Sequence, residues 1–175
     1  MTIPSDYLLP HQTERLVMRP LGEEHILPWV DYLRDERAML YFPDYIRLEA
    51  ETQAPEWIKR HQDRYATNRF GFLALHLADG TFVGQCGLLL QEVDGEAVLE
   101  IGYHLFPANW GKGYATEAAT YFKEYARKYN LSTYIVSLIH PDNLPSQAVA
   151  KRNGMTPWKE SVWQDLRVIV FRTNL

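Results

Sequence analysis

The sequence predicts an α+β fold, an α/β sandwich in which about four helices flank a mixed, mostly antiparallel central sheet of about seven strands. Three observations lead there. Three consecutive strand-like runs, 70–77, 81–93 and 97–106, are separated by "ADG" and "DGE", which are hairpin turn signals. The last of these runs is followed by an amphipathic helix and a further strand, a βαβ unit. Two more strand-like segments, "TPWKESVW" and "LRVIVFRT", close the chain.

Taken in order, the elements read βααβββαβαββ. In "TERLVMRPL" (13–21), Leu16, Met18 and Pro20 alternate with Arg15, Val17 and Arg19, the period of a strand. The stretch 23–40 carries Ile26, Trp29, Val30 and Leu33 at helical spacing, provided Pro28 lies in the first turn. A second helix is expected over 54–66, with Pro55 at its start and Trp57, Ile58, His61 and Tyr65 on one face. After the three hairpin strands, Ala115, Ala118, Ala119, Phe122, Tyr125, Ala126 and Tyr129 form a continuous apolar stripe on a third helix. Strand 133–139 follows, then a short helix over 144–153 that Gly154 stops. Gly80, Gly84 and Gly87 fall in a hairpin and a strand, where bulges account for them. No repeat, low-complexity run or linker interrupts this order, so residues 1–175 are expected to form one domain, with 1–12 irregular.

Composition narrows the function. Net charge is −4 with dispersed Lys and Arg, which argues against a nucleic-acid surface and mildly favours a cationic substrate. No apolar run approaches the roughly 20 residues of a membrane helix, and "MTIPSDYLLPHQTERL" lacks the basic start and apolar core of a signal peptide. A single cysteine, Cys86, fits a reducing, cytoplasmic setting. The six histidines have no H-E-x-x-H or H-x-H spacing, so no metal site is expected.

The most informative stretch is "NWGKGYATEA" (109–118). A strand, a glycine turn and a helix start present a row of free backbone N–H groups, suited to an anion. Small residues at 111, 113 and 115 would let a phosphate come close, and Lys112 adds charge at the rim. A tight turn alone would also use Gly111 and Gly113. The pattern is not G-x-x-x-x-G-K-S/T, and Thr116 replaces the third glycine of G-x-G-x-x-G.

With "EIGYHLFPANWGKGYATEA", "HPDNLPSQAVAKRNGM" and "TERLVMRPL" in this order, the chain resembles the GNAT superfamily of acetyl-CoA-dependent N-acetyltransferases, most closely its RimJ/RimL-like branch. That branch is named for enzymes that acetylate N-termini of ribosomal proteins. The resemblance runs from Thr13 to about Thr173. It implies that the turn cradles the pyrophosphate of coenzyme A through Trp110, Gly111, Lys112, Gly113, Tyr114, Ala115 and Thr116. Trp110 departs from the family's Gln or Arg. The resemblance further implies that backbone N–H groups near Leu105 polarise the thioester, and that Asn143 bonds the pantetheine amide. Many family members carry a tyrosine as proton donor where this chain has Ala150; in this branch the serine of N-x-x-S is the donor, here Ser146.

Glu100 and His104 stand four residues apart on one strand, hence on one face, and either could be the general base. A paired glutamate and a packed histidine are the alternatives at those positions. Asn143 is equally a helix N-cap, with Ser146 an ordinary first-turn residue. The acceptor expected is a primary amine, best a protein or peptide N-terminus, with polyamine or aminoglycoside-like amines next. A protein that binds acyl-CoA without turnover is the rival. An edge strand and 13% aromatic residues leave room for a homodimer.

Overall fold

The computed structural model describes residues 3–175. Its strands are β1 (His11–Gln12), β2 (Val17–Pro20), β3 (Phe72–His76), β4 (Phe82–Val93), β5 (Glu96–Leu105), β6 (Tyr134–Ile139), β7 (Thr156–Trp163) and β8 (Leu166–Asn174). Its α-helices are α1 (Ile26–Arg34), α2 (Asp44–Leu48), α3 (Ala50–Ala66), α4 (Tyr114–Lys128) and α5 (Leu144–Arg152). One eight-stranded sheet runs β1-β2-β3-β4-β5-β6-β8-β7, antiparallel everywhere except between β5 and β6. Among the described residues no helix is long and apolar enough to cross a membrane.

The expected order holds, with local corrections. The sheet has eight strands rather than about seven, because two residues of the segment expected to be irregular, His11 and Gln12, pair with Met18 and Val17. The first helix ends at Arg34 instead of running to residue 40: the Asp35 carboxylate accepts the Arg37 backbone N–H at 2.9 Å, a local bond that competes with helix continuation. A five-residue helix, α2, fills part of the remainder. The next helix starts at Ala50, not at residue 54, so Pro55 lies inside it and forfeits the bond to Glu51. The bulge expected around Gly84 is present between β3 and β4.

Each face of the sheet has its own core. On one, α4 lays Ala118, Ala119, Phe122, Tyr125 and Ala126 over Leu73, Leu75, Leu88, Leu99 and Ile101. Phe122 is fully buried, worth about 1.5–3 kcal/mol in transfer free energy. On the other, α1 and α3 bring Trp29, Tyr32, Leu33 and Ile58 against Phe72, Ala74 and Leu89. The helix α5 opens with Asn143 as N-cap, its side chain accepting the Ser146 N–H at 3.1 Å. It closes with Gly154 at φ 79° and a Met155 N–H to Ala150 C=O bond of 3.0 Å.

The strands β5 and β6 meet at a single parallel bridge, Glu100 opposite Val136. One residue further the Ser137 hydroxyl donates to the Ile101 carbonyl at 2.8 Å, and beyond that the two strands part. This opening, flanked by the N-terminal ends of α4 and α5, is the feature the fold builds around.

Two histidines in these cores make the fold acid-sensitive. Burial holds His61 down to about 3, and burial with the nearby Arg19 charge holds His76 down to about 4. The unfolded chain protonates both below about 6.5, so between about 4 and 6.5 it binds more protons than the fold, and stability falls as pH is lowered through that window. Urea midpoints at pH 6.5 and 4.5 should show that fall, and His76→Leu should shrink it.

Candidate active site

The glycine turn lies just past the end of β5, tied back to it by the Trp110 indole N–H, which donates to the Leu105 carbonyl at 2.7 Å. Gly111 and Gly113 both adopt left-handed backbone, φ 74° and 83°, where a side chain would be strained. A Cβ on Gly111 would meet nothing within 4 Å, so the space in front of the turn is open. The first backbone bond of α4 runs from Glu117 N–H to the Gly113 carbonyl at 3.0 Å, and no side chain caps the helix. The N–H groups of Tyr114, Ala115 and Thr116 therefore face outward as unused donors at the positive end of a fifteen-residue helix. Lys112 is exposed, its ammonium 3.4 Å from the Asn109 side-chain oxygen. An open cradle lined with free donors fits a phosphate group.

On β5, Glu100 and His104 do share a face, with Gly102 between them. The Phe72 ring covers Gly102 so closely that a Cβ there would stand 2.6 Å from it. Glu100 is 8% exposed, and its carboxylate accepts the Gln91 amide N–H at 2.8 Å. Burial raises its pKa to about 7; the bonds from Gln91 and the Leu138 N–H and the distant Arg64 charge pull it back only in part. His104 sits among the rings of Trp29, Tyr32, Phe42, Trp57 and Phe72, its centroid 5.4 Å from Phe72 and 5.5 Å from Trp57. Burial lowers its pKa to about 4, which makes it neutral and weakly basic at pH 7. Across the strand pair from His104 lies Gln85, whose buried amide has no partner among the described residues; the buried indole N–H groups of Trp29 and Trp57 have none there either. The wall around His104 is thus apolar with a few unspent polar groups.

Leu105 follows in the same strand. Because Phe106 N–H bonds to the Val83 carbonyl at 3.1 Å, ladder alternation turns the Leu105 N–H the other way, toward the side from which β6 has departed. Opposite it stands α5. Asn143 spends its side-chain oxygen on the cap, leaving its NH₂ group uncommitted among the described bonds, and the Ser146 hydroxyl makes no described bond. Ala150 is buried in the core, so no side chain there reaches the opening.

Sequence reasoning overlooked two participants. Tyr103 reaches across the opening and donates to the Ser146 carbonyl at 2.9 Å, fastening β5 to α5. Arg15 joins the glycine turn from the bend two residues ahead of β2, bonding the Lys112 carbonyl at 2.8 Å. Nothing local in the sequence names partners 43 and 97 residues away.

Comparison with known proteins gives the family. Residues 15–156 match the family profile of the acetyltransferase (GNAT) domain. The uncharacterized protein YkkB of Bacillus subtilis is 34% identical over 116 residues, 63% of this chain and 65% of YkkB, so the match spans just under two thirds of that relative. An acetyltransferase from Agrobacterium tumefaciens superposes with a TM-score of 0.78 at 25% identity, covering 100% of this chain and 96% of the other. Mycobacterium smegmatis RimJ, solved with a CoA disulfide, has a TM-score of 0.71 at 20% identity over 91% of this chain and 81% of its own. With the domain profile matched across most of its length, the chain belongs to the GNAT acetyltransferases, which draw their acetyl group from acetyl-CoA.

Proposed function

We propose that the protein passes an acetyl group from acetyl-CoA directly to a primary amine, and that the acceptor is the N-terminal α-amine of a protein or peptide. The observation that carries this reading is the Glu100 carboxyl, buried beside the β5–β6 opening with its pKa raised to about 7. A base of that strength is half ionised near neutrality and takes a proton from an ammonium at little cost. An α-amine, pKa about 7.7–8.0, stands within roughly one unit of it, whereas a lysine at about 10.4 stands more than three units away. The match favours the α-amine. His104, neutral and enclosed by aromatic rings, shapes the acceptor side instead of competing for the proton.

The remaining residues divide the work of holding the donor. The backbone N–H groups of Gly111 to Thr116 bind the pyrophosphate, with Trp110 fixing the turn and Lys112 lending charge. Leu105 N–H donates to the thioester oxygen, where negative charge grows during attack. Asn143 offers its NH₂ to the pantetheine arm, and the Ser146 hydroxyl hands a proton to the departing thiolate. Acetyl-CoA, when bound, supplies the activated acyl group. No covalent enzyme intermediate is required, since Cys86 is buried and its thiol pushed well above its usual range by that burial.

Because Glu100 must be ionised to act, kcat should climb as pH rises through about 7 and level off above it. Glu100→Gln should lower kcat roughly 10²–10³-fold and erase that inflection. A rate profile from pH 5.5 to 9 reads both, and a Glu100→Gln profile that keeps the inflection would move the base elsewhere. Ser146→Ala should slow turnover by roughly tenfold without abolishing it, because a thiolate of pKa near 8.5 leaves tolerably unaided; unchanged turnover would remove Ser146 from the chemistry. The acceptor is tested by mass spectrometry on Ser- and Ala-start peptides, N-blocked lysine peptides, polyamines and aminoglycosides. Acetylation confined to free peptide N-termini is expected. A small-amine product would keep the chemistry and replace the acceptor, and no product despite bound acetyl-CoA would make the protein a binder.

A further inference from the structure

We propose that Arg15 is a positioning residue for the donor: it locks the Lys112–Gly113 peptide so that the Gly113 N–H faces the pyrophosphate, and it cancels the Glu117 charge beside it. This rests on the reading that residues 111–116 hold the pyrophosphate of coenzyme A.

Arg15 uses its whole fork. One guanidinium nitrogen, Nη1, donates to the Lys112 carbonyl at 2.8 Å, while Nε and Nη2 reach Glu117 Oε2 at 2.7 and 2.6 Å. The other Glu117 oxygen, Oε1, accepts the Arg15 backbone N–H at 2.9 Å and the Thr13 hydroxyl at 2.6 Å. The guanidinium also lies over the Tyr114 ring, 4.9 Å from its centroid. Two residues of the N-terminal segment, Thr13 and Arg15, and three of the turn and helix start, Lys112, Tyr114 and Glu117, are bound into one assembly, across about a hundred residues of sequence.

The first consequence concerns one peptide plane. In a trans peptide the C=O and the following N–H point in opposite directions. With the Lys112 carbonyl drawn to Arg15, the Gly113 N–H is turned away from Arg15, toward the open side of the turn. That peptide has little else to hold it. Gly113 sits at φ 83° and, having no Cβ, tolerates either sign of φ, so a flip of this plane carries no steric penalty of the kind that would protect it elsewhere. Arg15 supplies the missing restraint.

The second consequence is electrostatic. A carboxylate in the first turn of α4 suits the helix dipole but repels an anion held at the same end. Glu117 is close enough to matter, and it is not left bare: both of its oxygens are spent on Arg15 and Thr13. Removing the Arg15 side chain would free a flexible peptide and expose a negative charge at the phosphate site. Replacing it with lysine would restore the charge but not the fork, since one ammonium cannot reach the carbonyl and the carboxylate with the same geometry.

The test compares binding of coenzyme A with binding of pantetheine, which has the same arm and thiol but no pyrophosphate, by titration calorimetry. The native chain should prefer coenzyme A. In Arg15→Ala the dissociation constant for coenzyme A should rise roughly tenfold or more while that for pantetheine stays within a factor of two. Arg15→Lys should recover only part of the loss. Full recovery by lysine, or an unaltered preference in Arg15→Ala, would overturn the proposal. Should Arg15→Ala fold poorly, the milder Arg15→Gln serves; parallel weakening of both ligands in that variant would mark a general structural role and overturn it too. A native chain indifferent between the two ligands would instead overturn the reading of the loop itself, before any variant is made.

Discussion

The structure depends on one place where pairing stops. Two adjacent parallel strands would ordinarily share a ladder along their length, but β5 and β6 share only the Glu100–Val136 bridge. Past it, backbone groups that a ladder would consume are released, among them the Leu138 N–H, which turns to the Glu100 carboxylate, and the Leu105 N–H. Buried backbone donors without partners are costly, so a fold keeps such a gap only if something compensates at its edges. Here the compensation is specific. The Ser137 hydroxyl caps the Ile101 carbonyl, the Trp110 indole takes the Leu105 carbonyl, and the Tyr103 hydroxyl bridges to the Ser146 carbonyl. Three side chains thus satisfy carbonyls around the opening, while N–H donors stay available within it. The result is a cleft biased toward accepting oxygen atoms of a ligand.

Packing on either side keeps that cleft from collapsing. On one face the small residues of α4, Ala118, Ala119 and Ala126, let the helix lie close to the sheet, with Phe122 filling the space between. On the other, the aromatic layer from α1 and α3 presses on β3 and β5, and the Phe72 ring occupies the room that Gly102 leaves. That ring sits between Glu100 and His104, so the two candidates for general base occupy separate compartments of one strand face. One is polar, served by Gln91; the other is walled by indoles and phenyl rings.

What the sequence made legible was whatever depends on local spacing. The alternation that put Glu100 and His104 on one face, the glycines at 111 and 113 that must go left-handed, the α4 stripe and the Asn143 cap all follow from residues within a few positions of one another. Failures came where a distant or competing contact decides. Strand β1 exists only because β2 offers it an edge, and α3 begins early because the preceding short helix turns the chain at Glu49, overriding the preference of proline for a helix start. In the sequence Arg15 is one member of an alternating, strand-like run. Its partner, Glu117, lies 102 positions on, and no periodicity connects them. The sequence also left the choice between Glu100 and His104 open, because burial decides their basicity and burial is a tertiary property.

Two glutamates show how far that property reaches. Glu100 and Glu117 have the same side chain, and burial pushes both upward, yet they end on opposite sides of their ordinary value. At Glu117 the hydrogen bonds from Thr13 and Arg15 and the Arg15 charge overcome burial and hold the carboxyl low. At Glu100 the close partners are neutral, an amide and a backbone N–H, and the one cation that reaches it, Arg64, is a minor contributor, so burial wins and the value rises to about 7. A neutral donor stabilises a carboxylate less than a guanidinium fork does, and that difference separates a carboxylate fixed in its charged state from one free to change. Exchanging the partners would exchange the roles: an arginine in place of Gln91 would keep Glu100 ionised and make it a poor acceptor for an ammonium proton, however well placed it stood. The base role proposed for Glu100 therefore rests on Gln91 being uncharged as much as on Glu100 being acidic.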